Sequence, residues 1–339
     1  MNWSVKGSRL LAWALCTAPL AGGAAGSGYE LRPEVRSFAT ELAARRDIDA
    51  DWVLAQLAQA RLQPAAQKLM MPAPPGQPKN WAAYRERFVE PRRILAGVDF
   101  WNAHADDLAR AEARFGVPAE IVVGIIGVET FYGRVMGNFR TLDVLATLAF
   151  DFPAGRSDRS DYFRDELEAL LVLARREHVA PSALTGSYAG AMGLPQFMPS
   201  SVNRFAIDFD GDDRVDLQAS AADAIGSVAR FLGEHGWHRG MPTHFAVTPP
   251  EDRVQRARLL VPDIVPSFSA QDFAAAGAAL PDAGRQHAGP LALVMVENGG
   301  AAQSFVAGTE NFFALTRYNR SSYYALAVIE LGAAVRDSR

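Results

Sequence analysis

The sequence predicts a mainly α, α+β fold: a helical body carrying a small β-containing insertion. Apolar residues recur at helical spacing over most of the 339 residues, glycine and proline punctuate those runs, and β-prone runs with an Asn-Gly turn are confined to the stretch beyond Gly240. Composition agrees with a globular chain, at 49% hydrophobic and 21% charged residues. The balance of 34 Lys+Arg against 38 Asp+Glu gives a net charge of −4, which lacks the basic footprint of a nucleic-acid binder. Nucleic acid is therefore excluded as the expected partner. With one cysteine, no disulfide scaffold is available.

The elements follow in order. Lys6 and Arg9 precede an apolar run from Leu10 to Leu20, followed by the small residues Ala21 to Gly26, the pattern of a signal peptide over residues 1–25. Cleavage near Ala25 removes both basic residues and the lone Cys16, leaving a charge of −6. Cys16 could also be read as a lipoprotein acceptor, but Leu15 before it is large where such sites take a small residue, so soluble export is favoured. An N-terminal helical domain is expected over 26–115. It comprises helical periodicity from Leu31 to Arg61, a proline-rich loop from Met71 to Pro78, and a long helical stretch from Asn80 to Phe115 through Trp81, Tyr84, Phe88, Ile94, Leu95 and Phe100.

Gly116-Val117-Pro118 closes that domain and opens a core over 116–240, with Pro118 suited to a first helical turn. Ala119 to Thr130 is almost wholly apolar and reads as a buried helix. Further helices are expected over Asp161–Glu177 and Ala222–His235, and between them Gly186 to Ser201 is too apolar for a surface linker and reads as a wall. The β-containing domain, 241–310, is read from Leu259–Val261, Leu291–Val296 and Gln303–Val306, with Asn298-Gly299-Gly300 as a hairpin turn. Residues 311–339 return to the helical body, ending in a helix over Ser322–Arg336.

Among residues able to carry chemistry, Glu129 shares a helix face with Val122, Ile125 and Ile126. A carboxylate against apolar side chains is pushed toward its neutral form, as a general acid requires. The competing reading is a buried glutamate paired with Arg134 or Arg140, and spacing alone favours it. Asp208, Asp210, Asp212, the Arg214 carbonyl and Asp216 alternate as in an EF-hand-type calcium loop. Two positions depart from that pattern: Asp213 replaces the usual glycine, and Ala219 stands at position 12, leaving Asp223 as the nearest later carboxylate. The alternative there is a solvated acidic turn. His235, His238 and His244 lack the partners of a metal site, the glycines at 186, 190 and 193 lack a phosphate-loop ending, and Ser187 has no evident base. Tyr318, Asn319, Tyr323 and Tyr324 read either as core and capping residues or as a platform for sugar rings.

Ordered motifs then point to a family. These include Phe88-Val89-Glu90-Pro91, Gly127-Val128-Glu129-Thr130, Gly133-Arg134-Val135-Met136-Gly137 and Leu142 to Leu148. They continue with Gly186 to Gly193, Gln196-Phe197-Met198-Pro199-Ser200-Ser201, Asp223 to Val228, and Tyr318-Asn319 to Val328. From about Tyr84 to Leu331 the chain resembles the B-type lytic murein transglycosylases of glycoside hydrolase family 103. The resemblance implies a lysozyme-like helical core, an EF-hand-like loop over 208–223 holding a structural calcium, no catalytic cofactor, and periplasmic action on peptidoglycan glycan strands. A monomer is expected, with proteins of cell-wall synthesis or the divisome as the class of protein partner.

By the same resemblance Glu129 is the single acid/base, forming 1,6-anhydromuramyl ends. Ser187, Gln196, Tyr84, Tyr318, Asn319 and Tyr324 match substrate-contacting positions, while Asp208, Asp210, Asp212, Arg214, Asp216 and Asp223 are the metal candidates. Two departures stand out: an insertion around Phe152 to Tyr162 bearing Arg156 and Arg159, and Phe231 where a tyrosine is expected. Two rivals remain open. One is a lysozyme-type hydrolase using Asp143 or Asp151 to activate water, and the other a non-catalytic glycan-binding scaffold.

Overall fold

The computed structural model describes residues 28–72 and 79–339. The signal-peptide reading, Cys16 and most of the proline-rich loop lie outside the described residues. Within them are sixteen α-helices and five short strands. The expected mainly α, α+β class holds. No helix among the described residues is long and apolar enough to cross a membrane.

At the centre is the helix Ala119–Thr130, buried along its length apart from Glu120 and Glu129. Its closest neighbour is the C-terminal helix Ser322–Asp337. Glycines make that approach possible: a methyl group on Gly124 would collide with the Val328 carbonyl, and one on Gly332 with the Glu120 carbonyl. Backbone thus meets backbone where the two helices touch.

One apolar core runs from Tyr29 to Val335 and includes the N-terminal helices. Those helices are fastened by charge as well. Arg45 and Arg46 both hold Glu168, at 2.6 and 2.7 Å, and Arg32 with the Tyr29 hydroxyl holds Asp151. A smaller second core, built on Leu259, Phe273, Leu280, Leu291 and Leu293, serves the β-containing segment. Its sheet is antiparallel, with Ala301–Gly308 between Ala292–Asn298 and His244–Ala246. The hairpin forms at the expected turn, where Gly299 and Gly300 take φ of 62° and 97°.

Three local expectations are corrected. The stretch Asn80–Phe115 is three helices, Trp81–Phe88, Pro91–Ala103 and Ala105–Phe115. Pro91 cannot continue a helix but starts one well, and the Glu90 carboxylate caps that start by accepting from the Arg92 and Arg93 amides. Leu31–Arg61 likewise splits into Pro33–Arg46 and Ala50–Leu57, broken by Asp47 at φ 51° and restarted by the Asp49 cap. Leu259–Val261 is no strand: Leu259 and Leu260 end the helix Arg253–Leu260, which Asp252 caps through the Val254 and Gln255 amides.

Candidate active site

Glu129 occupies the last turn of the helix Ala119–Thr130. The helix then stops abruptly, because Phe131, Tyr132 and Gly133 all take left-handed backbone at φ 52°, 57° and 85°. Two aromatic residues in that region are strained, and packing holds them there. The Tyr132 ring lies over Phe100 with centroids 5.3 Å apart, and Arg93 and Arg134 place guanidinium groups 4.6 and 4.9 Å from the Phe131 ring. Arg93 also donates to the Gly127 carbonyl at 2.5 Å, which accepts from the Phe131 amide at 3.1 Å as well.

The expected ion pair at Glu129 does not form. Arg134 stacks on Phe131, and Arg140 is committed to Asp143 at 3.3 Å and to the Ser182 and Gln59 carbonyls. The partner of Glu129 is instead Tyr324, whose hydroxyl donates to Oε1 at 2.7 Å. Loss of hydration pushes the Glu129 carboxyl up from its ordinary 4.5 to about 7, and the Tyr324 hydrogen bond works in the opposite direction. Glu129 also sits at the helix C-terminus, where the backbone dipole disfavours an anion. The group is therefore poised to give and take a proton near neutral pH.

Tyr324 is buried, in the first turn of a helix capped by Ser321, and stacks on Tyr318 at 14° with centroids 6.3 Å apart. Tyr318 donates its hydroxyl to the Pro195 carbonyl at 2.6 Å. Phe231, where a tyrosine was expected, meets the Tyr318 ring edge-on at 4.8 Å and stacks on His235 at 4.0 Å. It acts there as an apolar support beneath Tyr318.

The stretch from Gly186 to Ser201, read from the sequence as a wall, is mostly buried or half-buried, and its last residues begin the helix Pro199–Phe205. It carries Ser187 and Gln196. The Ser187 hydroxyl oxygen accepts from the Ala191 amide at 3.1 Å. Gln196 has φ 49°, and its amide nitrogen donates to the Met136 and Gly193 carbonyls at 3.1 and 2.9 Å. With both protons committed, the carbonyl oxygen is the atom Gln196 offers to a ligand. A cavity of about 290 Å³ lies beside it, lined by Glu166, Gln196, Phe231, Arg317 and Tyr318. A second, of about 340 Å³, is lined by Arg156 and Arg159 from the insertion with Tyr162, Tyr188 and Met198.

Tyr84 belongs to an aromatic cluster with Trp81, Phe88 and Tyr323, and the charge of Glu129 adds to burial in raising its hydroxyl pKa. The Glu129 charge likewise adds to burial in raising the Tyr318 and Tyr324 hydroxyl pKa values. Asn319 is exposed at the end of the helix Glu310–Tyr318, its carbonyl accepting from the Ser321 amide. Thr130, which sequence reasoning did not single out, is buried next to Glu129 and donates to the Leu194 carbonyl at 2.9 Å.

Asp143 and Asp151 are both engaged by other groups of the N-terminal region and of their own helix. Asp143 is buried, accepts from the Arg61 amide at 3.1 Å and pairs with Arg140; Asp151 binds Arg32 and Tyr29.

In the acidic loop, Asp208, Asp210 and Asp212 each offer an oxygen within 4.8 Å of the others. Asp213 takes φ 66°, the left-handed conformation for which an EF-hand loop ordinarily uses glycine. Asp216 caps the Gln218 and Ala219 amides, whereas buried Asp223 accepts from the Phe209 and Asp216 amides at 2.7 and 2.8 Å. The first three aspartates are thus drawn together, and Asp223 staples the two ends of the loop from below. Among the histidines, His235 Nδ1 lies 2.7 Å from the Phe231 carbonyl and His244 Nδ1 lies 3.0 Å from the Thr243 hydroxyl.

A family model described as the transglycosylase SLT domain matches residues 30–333. The chain belongs to the SLT transglycosylases. It is 39% identical over 324 residues to the membrane-bound lytic murein transglycosylase B of Escherichia coli (strain K12), covering 93% of this chain and 86% of that protein. Among solved structures, the catenated lytic transglycosylase SltB1 of Pseudomonas aeruginosa superposes with a TM-score of 0.83 at 40% identity, over 91% of this chain and 99% of the other. The E. coli lytic transglycosylase Slt35, solved in complex with calcium, gives 0.79 at 38% identity over 91% and 94% of the two chains. This SLT transglycosylase is accordingly an enzyme that acts on peptidoglycan.

Removing the Tyr324 hydroxyl tests the electrostatics of this SLT transglycosylase. In Tyr324→Phe the hydrogen bond that favours the ionised acid is gone, so the Glu129 pKa rises further. The alkaline limb of kcat/KM is expected to move to higher pH, with kcat about tenfold lower, in a pH–rate profile on soluble glycan strands.

Proposed function

We propose that Glu129 is the single acid/base of an exported transglycosylase that cleaves the bond between N-acetylmuramic acid and N-acetylglucosamine and leaves a 1,6-anhydromuramyl end. The observation that carries this reading is a desolvated carboxyl with its pKa near 7 whose hydrogen-bond partner is Tyr324, while Asp143 is bound by the Arg61 amide and Arg140, Asp151 by Arg32 and Tyr29, and Glu166 by Ser200. The protonated carboxyl gives its proton to the linking oxygen as the bond from C1 to that oxygen breaks. The resulting carboxylate takes the proton of the muramyl 6-hydroxyl as that oxygen bonds to C1. Glu129 ends the cycle protonated, and no water is consumed. Paired-carboxylate glycosidases need a second group for water or for a glycosyl-enzyme, and this route does not. Gln196, Ser187, Tyr84, Tyr318 and Asn319 would contact the glycan, and Tyr324, which is buried, would act through its hydrogen bond to Glu129.

Purified sacculi digested with the enzyme and analysed by mass spectrometry test the reading. Anhydromuramyl ends, lighter than hydrolytic ends by one water, are expected. Reducing muramyl ends in their place would refute it and favour the lysozyme-type hydrolase.

Asp208, Asp210, Asp212, the Arg214 carbonyl and Asp216 would hold a structural calcium, with Asp223 supporting the loop. Clustered carboxylate oxygens and the left-handed Asp213 suit a hard cation. A cation bound only by the native state adds stability, so chelation with EDTA is expected to lower the melting temperature by several degrees. An unchanged calorimetric trace from protein that contains no metal would reject the site. Soluble periplasmic export after cleavage near Ala25 completes the proposal, supported by the residue pattern of the leader.

A further inference from the structure

We infer that Thr130 is a positioning residue whose hydroxyl sets the distance between the acid and the wall that carries Gln196. The inference rests on Glu129 being the acid. A closed ring of contacts joins Glu129 to that wall. From Glu129 the chain passes to Thr130, whose hydroxyl donates to the Leu194 carbonyl at 2.9 Å. Pro195 follows Leu194, and its carbonyl accepts from the Tyr318 hydroxyl at 2.6 Å. Tyr318 stacks on Tyr324 with centroids 6.3 Å apart, and Tyr324 returns to Glu129 at 2.7 Å.

The wall backbone at Leu194 and Pro195 is thus held by two hydroxyls, one adjoining the acid and the other on the ring that stacks against the acid's partner. Thr130 is only 1% exposed, and its oxygen also accepts from the Gly133 amide at 3.1 Å, so the same side chain braces the left-handed turn that ends the helix. A longer contact of 3.3 Å to the Ile126 carbonyl is the ordinary back-bond of a helical threonine. The 2.9 Å contact to Leu194 joins residues 64 positions apart and is the one that couples two elements. From the far side, the Leu194 amide donates to the Leu217 carbonyl at 2.8 Å. Gln196, at φ 49°, has little freedom to adjust if its neighbours shift. Acid and wall therefore keep one separation, and the Thr130 hydroxyl is the direct tie between them.

Reaction rates depend steeply on such a separation, since a misplacement of about 1 Å can cost on the order of a hundredfold. Binding depends on it less, because the sugar contacts themselves survive. Thr130→Val keeps the shape and removes the hydroxyl; Thr130→Ser keeps the hydroxyl and removes a methyl group. On soluble glycan strands, well below either melting temperature, the valine variant is expected to lose about tenfold or more in kcat with KM within about twofold. The serine variant is expected to retain kcat near wild type. A purely packing role predicts the reverse order, with serine impaired and valine spared. The inference is overturned if valine keeps kcat within about twofold, or if serine falls as far as valine. Should the valine variant not fold, Thr130→Ala against Thr130→Ser makes the same comparison. Glu129→Gln is assayed alongside: if it stays active, the acid assignment itself falls, whereas an inactive Glu129→Gln beside an unaffected Thr130→Val overturns the role of Thr130 alone.

Discussion

Glu129→Gln is expected to abolish lytic activity while making the protein more stable at neutral and alkaline pH. The amide can still accept from Tyr324 but has no proton to give, so loss of the acid should cost at least about a thousandfold in kcat/KM. The stability change follows from the raised pKa. Between 4.5 and about 7 the folded enzyme binds the Glu129 proton while the unfolded chain releases it. Stability therefore falls as pH rises through that window and stays low above it. Glutamine has no such loss. Above pH 7 the variant should gain up to about 3 kcal/mol, and below about pH 4 the two proteins should unfold alike. Urea melts at both pH values measure this. A variant that is both inactive and less stable at pH 8 would contradict the desolvated acid.

The second large effect is expected at the helix crossing. Gly124→Ala places a methyl group against the Val328 carbonyl, a backbone atom that cannot rotate away. Alanine improves helix propensity by up to about 1 kcal/mol, but overpacking typically costs about 1–3 kcal/mol and more where backbone must move. We expect a net loss of about 2 kcal/mol, visible as a lower urea midpoint. Activity should fall too, because the same crossing brings Tyr324 to Glu129. Unchanged stability would show that the helices separate without cost.

The helix Ala119–Thr130 was legible because an apolar run between Pro118 and Gly133 leaves few alternatives. The hairpin at Asn298-Gly299 was legible for a similar local reason. The partner of Glu129 was not: Tyr324 lies 195 residues away, and no spacing rule distinguishes it from the nearby Arg134 and Arg140. Local periodicity also ran past Pro91, where a capping glutamate makes the first of the two breaks that divide the expected continuous helix into three. Leu259 and Leu260 look strand-like by composition, but the Asp252 cap decided for helix. The proposed substrate-contacting positions came through resemblance alone, since the contacts of Tyr318 with Pro195 and of Gln196 with Met136 join residues far apart in the chain.

The central claim is that the muramyl 6-hydroxyl, and not water, closes the reaction at C1. Digestion of sacculi in water enriched in oxygen-18 tests it most directly. The account predicts muramyl ends in the anhydro form with no label. Oxygen-18 at C1 of reducing muramyl ends would contradict it.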